Sequence, residues 1–282
     1  MLQGSIVALV TPMRADGSID WEALERLVRW HVESGTAGVV PMGTTGESAT
    51  LNTHEHLEVI SRTIEVANGR ISVVAGTGSN STEETLHQTK EAESLGADAC
   101  LLVTPYYNRP TQEGLYAHFK KVAETTSVPL VLYNVPGRTG CDLLPETIGR
   151  LSSIEGIVGI KEASGKIERV SEIRSVSASD FFILSGEDAL TLEMMNNGAV
   201  GTISVTANVL PKAMAEFCDS FLSGNIKRAS AIDEVLQSVH EILFIESNPT
   251  PAKWALHQMG IIHEGIRMPL LPLSSSCLLY TS

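Results

Sequence analysis

The chain has 282 residues, 43% of them apolar and 19% charged, with a formal net charge of −13. That composition gives a globular domain ample core material, and its acidity argues against nucleic acid or an anionic membrane as partner. The longest apolar stretches, such as Cys100–Val103 and Leu130–Leu132, are far too short to span a bilayer, and the N-terminus lacks a basic region or cleavage site, so the cytoplasm is the expected location.

The first strand-like run is Ile6–Val10. Trp21, Leu24, Leu27, Val28 and Val32 then follow the three-and-four spacing of one helix face, with Asp20 as N-cap. Gly38–Met42 reads as a strand and Asn52–Ala67 as a helix. Ser72–Ala75 leads to a helix over Thr82–Leu95 that stops at Gly96. Ala99–Thr104 is followed by a helical pattern over Gln112–Thr125, and Leu130–Asn134 and Ile157–Lys161 by one over Ile167–Val176. Phe181–Ser185 and Thr202–Val205 complete the strands. These runs are nearly continuous in hydrophobicity, as parallel strands buried on both faces should be.

Eight strands alternating with helices over roughly 220 residues predict a (β/α)8 TIM barrel, here residues 1–222. A doubly wound open sheet is the alternative and calls for a Gly-rich fingerprint after an early strand. Gly76-Thr77-Gly78 comes nearest, but position 81 is Ser, so the third glycine is absent. Further helical patterns at Pro211–Leu222, Asn225–Ile245 and Pro251–Met259 exceed what a minimal barrel needs, which predicts a C-terminal helical extension over residues 223–273. Cys100, Cys141, Cys218 and Cys277 are scattered without CxxC spacing and read as reduced thiols. His54 and His56 are two apart and do not form HExxH, so no metal site is expected there.

Lys161 closes an apolar run, Ile157-Val158-Gly159-Ile160. Burial there would strip the ammonium of hydration and favour the neutral amine that attacks a carbonyl. The alternative is a strand-end lysine that reaches solvent. Its neighbours at the predicted strand ends decide between them: Thr11, Gly43 to Glu47, Gly76 to Gly78, Thr104 to Tyr107, Tyr133 to Gly140, Ser185 to Asp188 and Ser204 to Asn208. In a barrel all of these converge on one mouth. The implied chemistry is a Schiff base between Lys161 and a ketone, which acidifies the adjacent methyl group. Tyr133, Thr44 and Tyr107 would face that mouth and could pass protons as a relay. The Gly43–Gly46 loop could turn N–H groups toward a carboxylate, with hydroxyls from Thr44 and Thr45. Arg138 offers a forked contact to a second carboxylate. Packing for Tyr133 and a surface turn for Arg138 are the structural alternatives.

The segments Gly43-Thr44-Thr45-Gly46-Glu47-Ser48-Ala49-Thr50-Leu51, Thr104-Pro105-Tyr106-Tyr107-Asn108, Tyr133-Asn134-Val135-Pro136, Arg138-Thr139-Gly140 and Gly159-Ile160-Lys161-Glu162-Ala163 resemble the motifs of the dihydrodipicolinate synthase family. The likeness runs in register over residues 1–273 and is greatest to bacterial enzymes of the enterobacterial type. It implies condensation of pyruvate with L-aspartate 4-semialdehyde, the first committed step toward diaminopimelate and lysine, with no metal or other cofactor. It further implies that Lys161 forms the pyruvyl imine, that Tyr133 transfers protons through Thr44 and Tyr107, and that Tyr107 crosses from a neighbouring subunit of a homotetramer. Arg138 would hold the semialdehyde carboxylate, Thr45 the pyruvate carboxylate, and Gly186 and Ile203 would line the pocket. The resemblance also places a lysine feedback site at Ser48, Ala49, His56, Asn80, Glu84 and Tyr106. Position 53, often histidine in such enzymes, is Thr53 here.

A further C-terminal helix follows the barrel in that family. Residues 274–282 are expected instead to be a non-native tail, Cys277–Ser282 matching the in-frame translation of a sequencing-library end. The alternatives to the synthase are a sister aldolase that shares the Schiff-base lysine, such as N-acetylneuraminate lyase or a keto-deoxy sugar-acid aldolase, and an inactive truncated barrel.

Overall fold

A computed structural model describes residues 2–277. The positions from 278 onward, and most of the expected tail with them, lie outside the described residues. Strands β1 (Gly4–Ala8), β2 (Gly38–Val40), β3 (Ser72–Gly76), β4 (Ala99–Val103), β5 (Leu130–Asn134), β6 (Ile157–Glu162), β7 (Phe182–Ser185) and β8 (Gly201–Ser204) form a closed parallel barrel. Closure comes from β1 against β8, with Gly4 opposite Gly201 and Ile6 opposite Ile203. This is the expected TIM barrel. Helices α1 (Trp21–Glu33), α2 (Thr53–Ala67), α3 (Thr82–Leu95), α4 (Gln112–Ala123), α5 (Pro136–Thr139), α6 (Pro145–Leu151), α7 (Glu168–Val176), α8 (Thr191–Asn196) and α9 (Pro211–Leu222) intervene between strands or follow the last one. Helices α10 (Ile226–Ile242) and α11 (Thr250–Gln258) come after them.

Side chains alternate across each strand, and two cores result. Ile6, Ala8, Val40, Val131, Tyr133 and Leu184 fill the barrel, while Val7, Leu9, Leu130, Leu132 and Ile160 meet the helices outside. Burial on both faces is why the strands read as continuous apolar runs. Helix starts follow local chemistry. Asp20 caps α1 by accepting from Ala23 N–H, and Asn52 and Glu55 form a reciprocal capping box on α2. Gly96, at φ 91°, ends α3.

Among the departures from expectation, two have a clear physical reason. β2 stops at Val40 rather than Met42, because Met42 turns into the left-handed region (φ 59°) to open a loop. Arg138 sits on a one-turn helix, α5, with Pro136 in its first turn and Gly140 (φ 74°) at its end. No helix among the described residues is long and apolar enough to cross a membrane.

Candidate active site

Lys161 points into the barrel near the C-terminal end of β6 and is only 6% exposed. Its register partners are Tyr133 on β5 and Leu184 on β7. Nζ stands 4.4 Å from the centroid of the Tyr133 ring. Among the described residues Lys161 makes neither a hydrogen bond nor an ion pair, so the nitrogen is available to a ligand. The next residue, Glu162, points the other way. It is fully buried, accepting from Ser164 N–H at 2.7 Å and Asn134 Nδ2 at 3.1 Å. Burial raises its carboxyl above the usual range. Asn134 also donates to Asp142, which Arg169 grips with two bonds of 2.9 Å. The outer faces of β5 and β6 are thereby locked, which fixes the inner-face pair Tyr133 and Lys161.

Space at Lys161 depends on Gly186. A Cβ there would stand 2.9 Å from Lys161 Cε and 2.7 Å from Ala163 Cβ, so only glycine fits. The cavity at Lys161 has a volume of about 70 Å³ and is walled by Thr44, Thr45, Tyr133, Arg138, Gly186 and Ile203, among others. All of the expected catalytic and substrate-binding residues except Tyr107 therefore meet at one place. Tyr107 does not line it, a correction to the expectation that it faces the same mouth within its own chain. Its backbone turns left-handed (φ 73°), its N–H is donated to Thr139 O, and its side chain projects outward, 89% exposed.

The loop after β2 leaves hydrogen-bond donors facing the cavity. Gly46 and Glu47 donate their N–H groups to Gly43 O and Thr44 O. Those of Thr44 and Thr45 have no acceptor among the described residues. The Thr45 hydroxyl accepts from Asn248 Nδ2 at 2.9 Å, leaving its own proton to donate. Two free N–H groups and two hydroxyls suit a carboxylate held beside Lys161.

Two wall residues carried no assigned role in the sequence reading. Asn248, between α10 and α11, is buried and hangs over the mouth. No periodicity in the helical extension reveals that it reaches 203 residues back to Thr45. Glu187 follows Gly186 at the strand end, and burial raises its carboxyl above the usual range, with Lys161 working in the opposite direction.

A larger cavity of about 310 Å³ shares Thr44, Tyr133 and Arg138 with the first and extends past Ser48, Ala49, His56, Glu84 and Tyr106. Asn80 lies outside it, its carbonyl accepting from Asn108 Nδ2. Thr53 is exposed at the start of α2, also outside it. Glu84 is held by Ser79 Oγ at 2.6 Å and Gln88 Nε2 at 3.3 Å, and His56 Nε2 contacts Gly76 O at 2.8 Å. Burial keeps His56 below the usual imidazole range, although its bond to Gly76 opposes this.

Comparison with known proteins gives one answer. Residues 1–279 match the dihydrodipicolinate synthetase family. A relative from Methylococcus capsulatus, named 4-hydroxy-tetrahydrodipicolinate synthase, is 57% identical over 277 residues, 98% of this chain and 95% of that protein. The crystal structure of the chloride-inhibited dihydrodipicolinate synthase from Acinetobacter baumannii complexed with pyruvate superimposes with a TM-score of 0.97 at 52% identity, covering 99% of this chain and 96% of that one. The enzyme from Cyanidioschyzon merolae with lysine bound gives 0.94 at 38% identity, over 98% of this chain and 94% of that one.

Proposed function

The chain belongs to the dihydrodipicolinate synthetase family and condenses pyruvate with L-aspartate 4-semialdehyde, and we propose that it does so through an imine on Lys161. The observation that carries this reading is the unpaired Nζ of Lys161, buried in the barrel mouth beside Tyr133 and facing the Thr44–Thr45 loop. The amine attacks the C2 carbonyl of pyruvate, and one water leaves as the imine forms. The loop holds the pyruvate carboxylate. The imine withdraws electrons from the neighbouring methyl group, which loses a proton to give an enamine. The enamine carbon attacks the aldehyde of the second substrate, a carbon–carbon bond forms, and the new alkoxide takes up a proton. The product's amino group then attacks the imine carbon, releases Lys161 and closes the ring. Tyr133 is the proton carrier, with Thr44 next to it and Tyr107 supplied by a neighbouring subunit. Arg138 binds the semialdehyde carboxylate.

The same reading extends to regulation and assembly. L-Lysine binds in the larger cavity, where the Glu84 carboxylate, oriented by Ser79 and Gln88, meets an ammonium. The outward Tyr107 and half-exposed Tyr106 favour a homo-oligomer, a dimer within a tetramer. The barrel of residues 1–222 is the catalytic unit, covered at its mouth by the extension of residues 223–273. The cytoplasm is the setting for such a biosynthetic enzyme.

The test couples turnover of pyruvate and aspartate 4-semialdehyde to the next reductase and follows NADPH loss, with Lys161→Ala as control. Lys161-dependent turnover is expected. Trapping of pyruvate by borohydride without turnover of the semialdehyde would point to a sister aldolase instead.

A further inference from the structure

One buried ion pair stands directly behind the carboxylate-binding loop and takes no part in the chemistry above. The ammonium of Lys253, on α11, is bonded to Oε1 of Glu47, with side-chain exposures of 3% and 1%. The second oxygen of Glu47 accepts from Arg267 N–H at 3.0 Å. Neither Glu47 nor Lys253 lines either cavity of the site. Glu47 is also one of two non-glycine residues with left-handed backbone, Met42 (φ 59°) and Glu47 (φ 58°), that bracket Thr44 and Thr45. Such positions are disfavoured for side chains and persist only where the surroundings hold them. The Arg267 guanidinium adds bonds to Thr50 O and Gly17 O, so the segment after α11 grips the end of the same loop.

We propose that the Lys253–Glu47 pair positions the Thr44–Thr45 loop for binding the pyruvate carboxylate, making Glu47 and Lys253 positioning residues of the enzyme. The inference rests on the carboxylate-binding role given to that loop above. A charge inside the protein is costly unless paired, so the pair fixes where Glu47 must sit. With Glu47 fixed at one end and Thr45 tied to Asn248 at the other, the two free N–H groups keep their aim. A hydrophobic pair of similar volume would fill the same space without imposing that location.

The test uses Glu47→Gln, Lys253→Met and the double variant in the 282-residue chain, with three readouts: thermal midpoint, borohydride trapping of pyruvate, and KM and kcat for pyruvate. Each single variant strands a buried charge and lowers the midpoint. The double variant is expected to recover the midpoint while KM for pyruvate stays raised roughly tenfold, the loop having lost its fixed point. Recovery of midpoint and KM together would make the pair a brace of the fold alone and overturn the proposal. Should these variants aggregate, Lys253→Arg keeps the charge but changes the reach and the geometry of its donors. A raised KM at the wild-type midpoint then supports the proposal, and a wild-type KM overturns it. Failure of the unmodified enzyme to trap pyruvate would refute the Lys161 reading, a result distinct from any variant outcome.

Discussion

Tyr133 and Lys161 are register partners on adjacent parallel strands, and the lysine nitrogen lies over the tyrosine ring at 4.4 Å from its centroid. The ring packs against the amine while the hydroxyl remains free to carry a proton. Tyr133→Phe should therefore leave imine formation intact and lower kcat by about 10²–10⁴-fold. Borohydride trapping followed by intact-protein mass measurement separates the two steps. Loss of trapping along with kcat would mean that the hydroxyl is already needed to form the imine, contradicting a role confined to the later proton transfers.

Gly186 sets the position of Lys161 by having no side chain. With Cε of Lys161 2.9 Å from where a Cβ would be, Gly186→Ala must displace the nucleophile. The expected result is a fall of about 10²-fold in kcat/KM, with about 1–3 kcal/mol of stability lost to overpacking. Steady-state kinetics and urea unfolding of one preparation check both.

Arg138 is exposed on its one-turn helix and its side chain makes no hydrogen bond within the described chain, so its fork is free for a ligand. Arg138→Ala should reduce kcat/KM for the semialdehyde by roughly 10–100-fold, the worth of a charge-assisted pair. Pyruvate trapping should change little. Equal damage to both would contradict its assignment to the second substrate.

Tyr107, 89% exposed in its own chain, can serve catalysis only across a subunit boundary. Co-assembled Tyr107→Phe and Lys161→Ala subunits should regain activity that neither variant has alone. One site of each mixed dimer then carries Lys161 from the first subunit and Tyr107 from the second. Absence of any gain on mixing would rule out the crossed relay.

Two histidines, His31 and His118, are buried, with desolvation as the cause of their shifts. Burial pushes His31 down to about 3 and His118 to about 4. Both lie below the ordinary value of 6.5, so the folded chain resists protons that the unfolded chain accepts. Their contribution to stability is complete above pH 6.5 and declines as pH falls toward these depressed values. For His31 the loss by pH 5 is on the order of 2 kcal/mol. Thermal midpoints measured from pH 7 to pH 4.5 should fall, and His31→Gln should flatten the profile. An unchanged slope would mean that His31 is already charged in the fold.

The barrel was legible because two-sided burial leaves continuous apolar strands that caps and glycines punctuate. The span Leu130–Asn134, and Thr82–Leu95 with its stop at Gly96, match the sequence reading residue for residue. Short helices escaped it: α5, α6 and α8, of four, seven and six residues, give too few turns for a periodicity to emerge. At the site, Lys161, Tyr133, Thr44, Thr45 and Arg138 could be found because strand ends of a barrel share one mouth. Asn248 could not, since its place depends on how α10 and α11 fold back over the barrel. Nor could the outward turn of Tyr107, which the local backbone at φ 73° decides.

The bond between Lys253 and Glu47 joins residues 206 positions apart, and β1 closes the barrel only on β8. During synthesis the first third of the chain, including Thr44 and Thr45, leaves the ribosome long before α11 exists. The nascent barrel can gather its strands, but the Thr44–Thr45 loop, proposed to hold pyruvate, lacks its Lys253 anchor until α11 has emerged. On the proposed role of that pair, a chain made only as far as β8 has every strand of the barrel but not yet a fixed place for pyruvate.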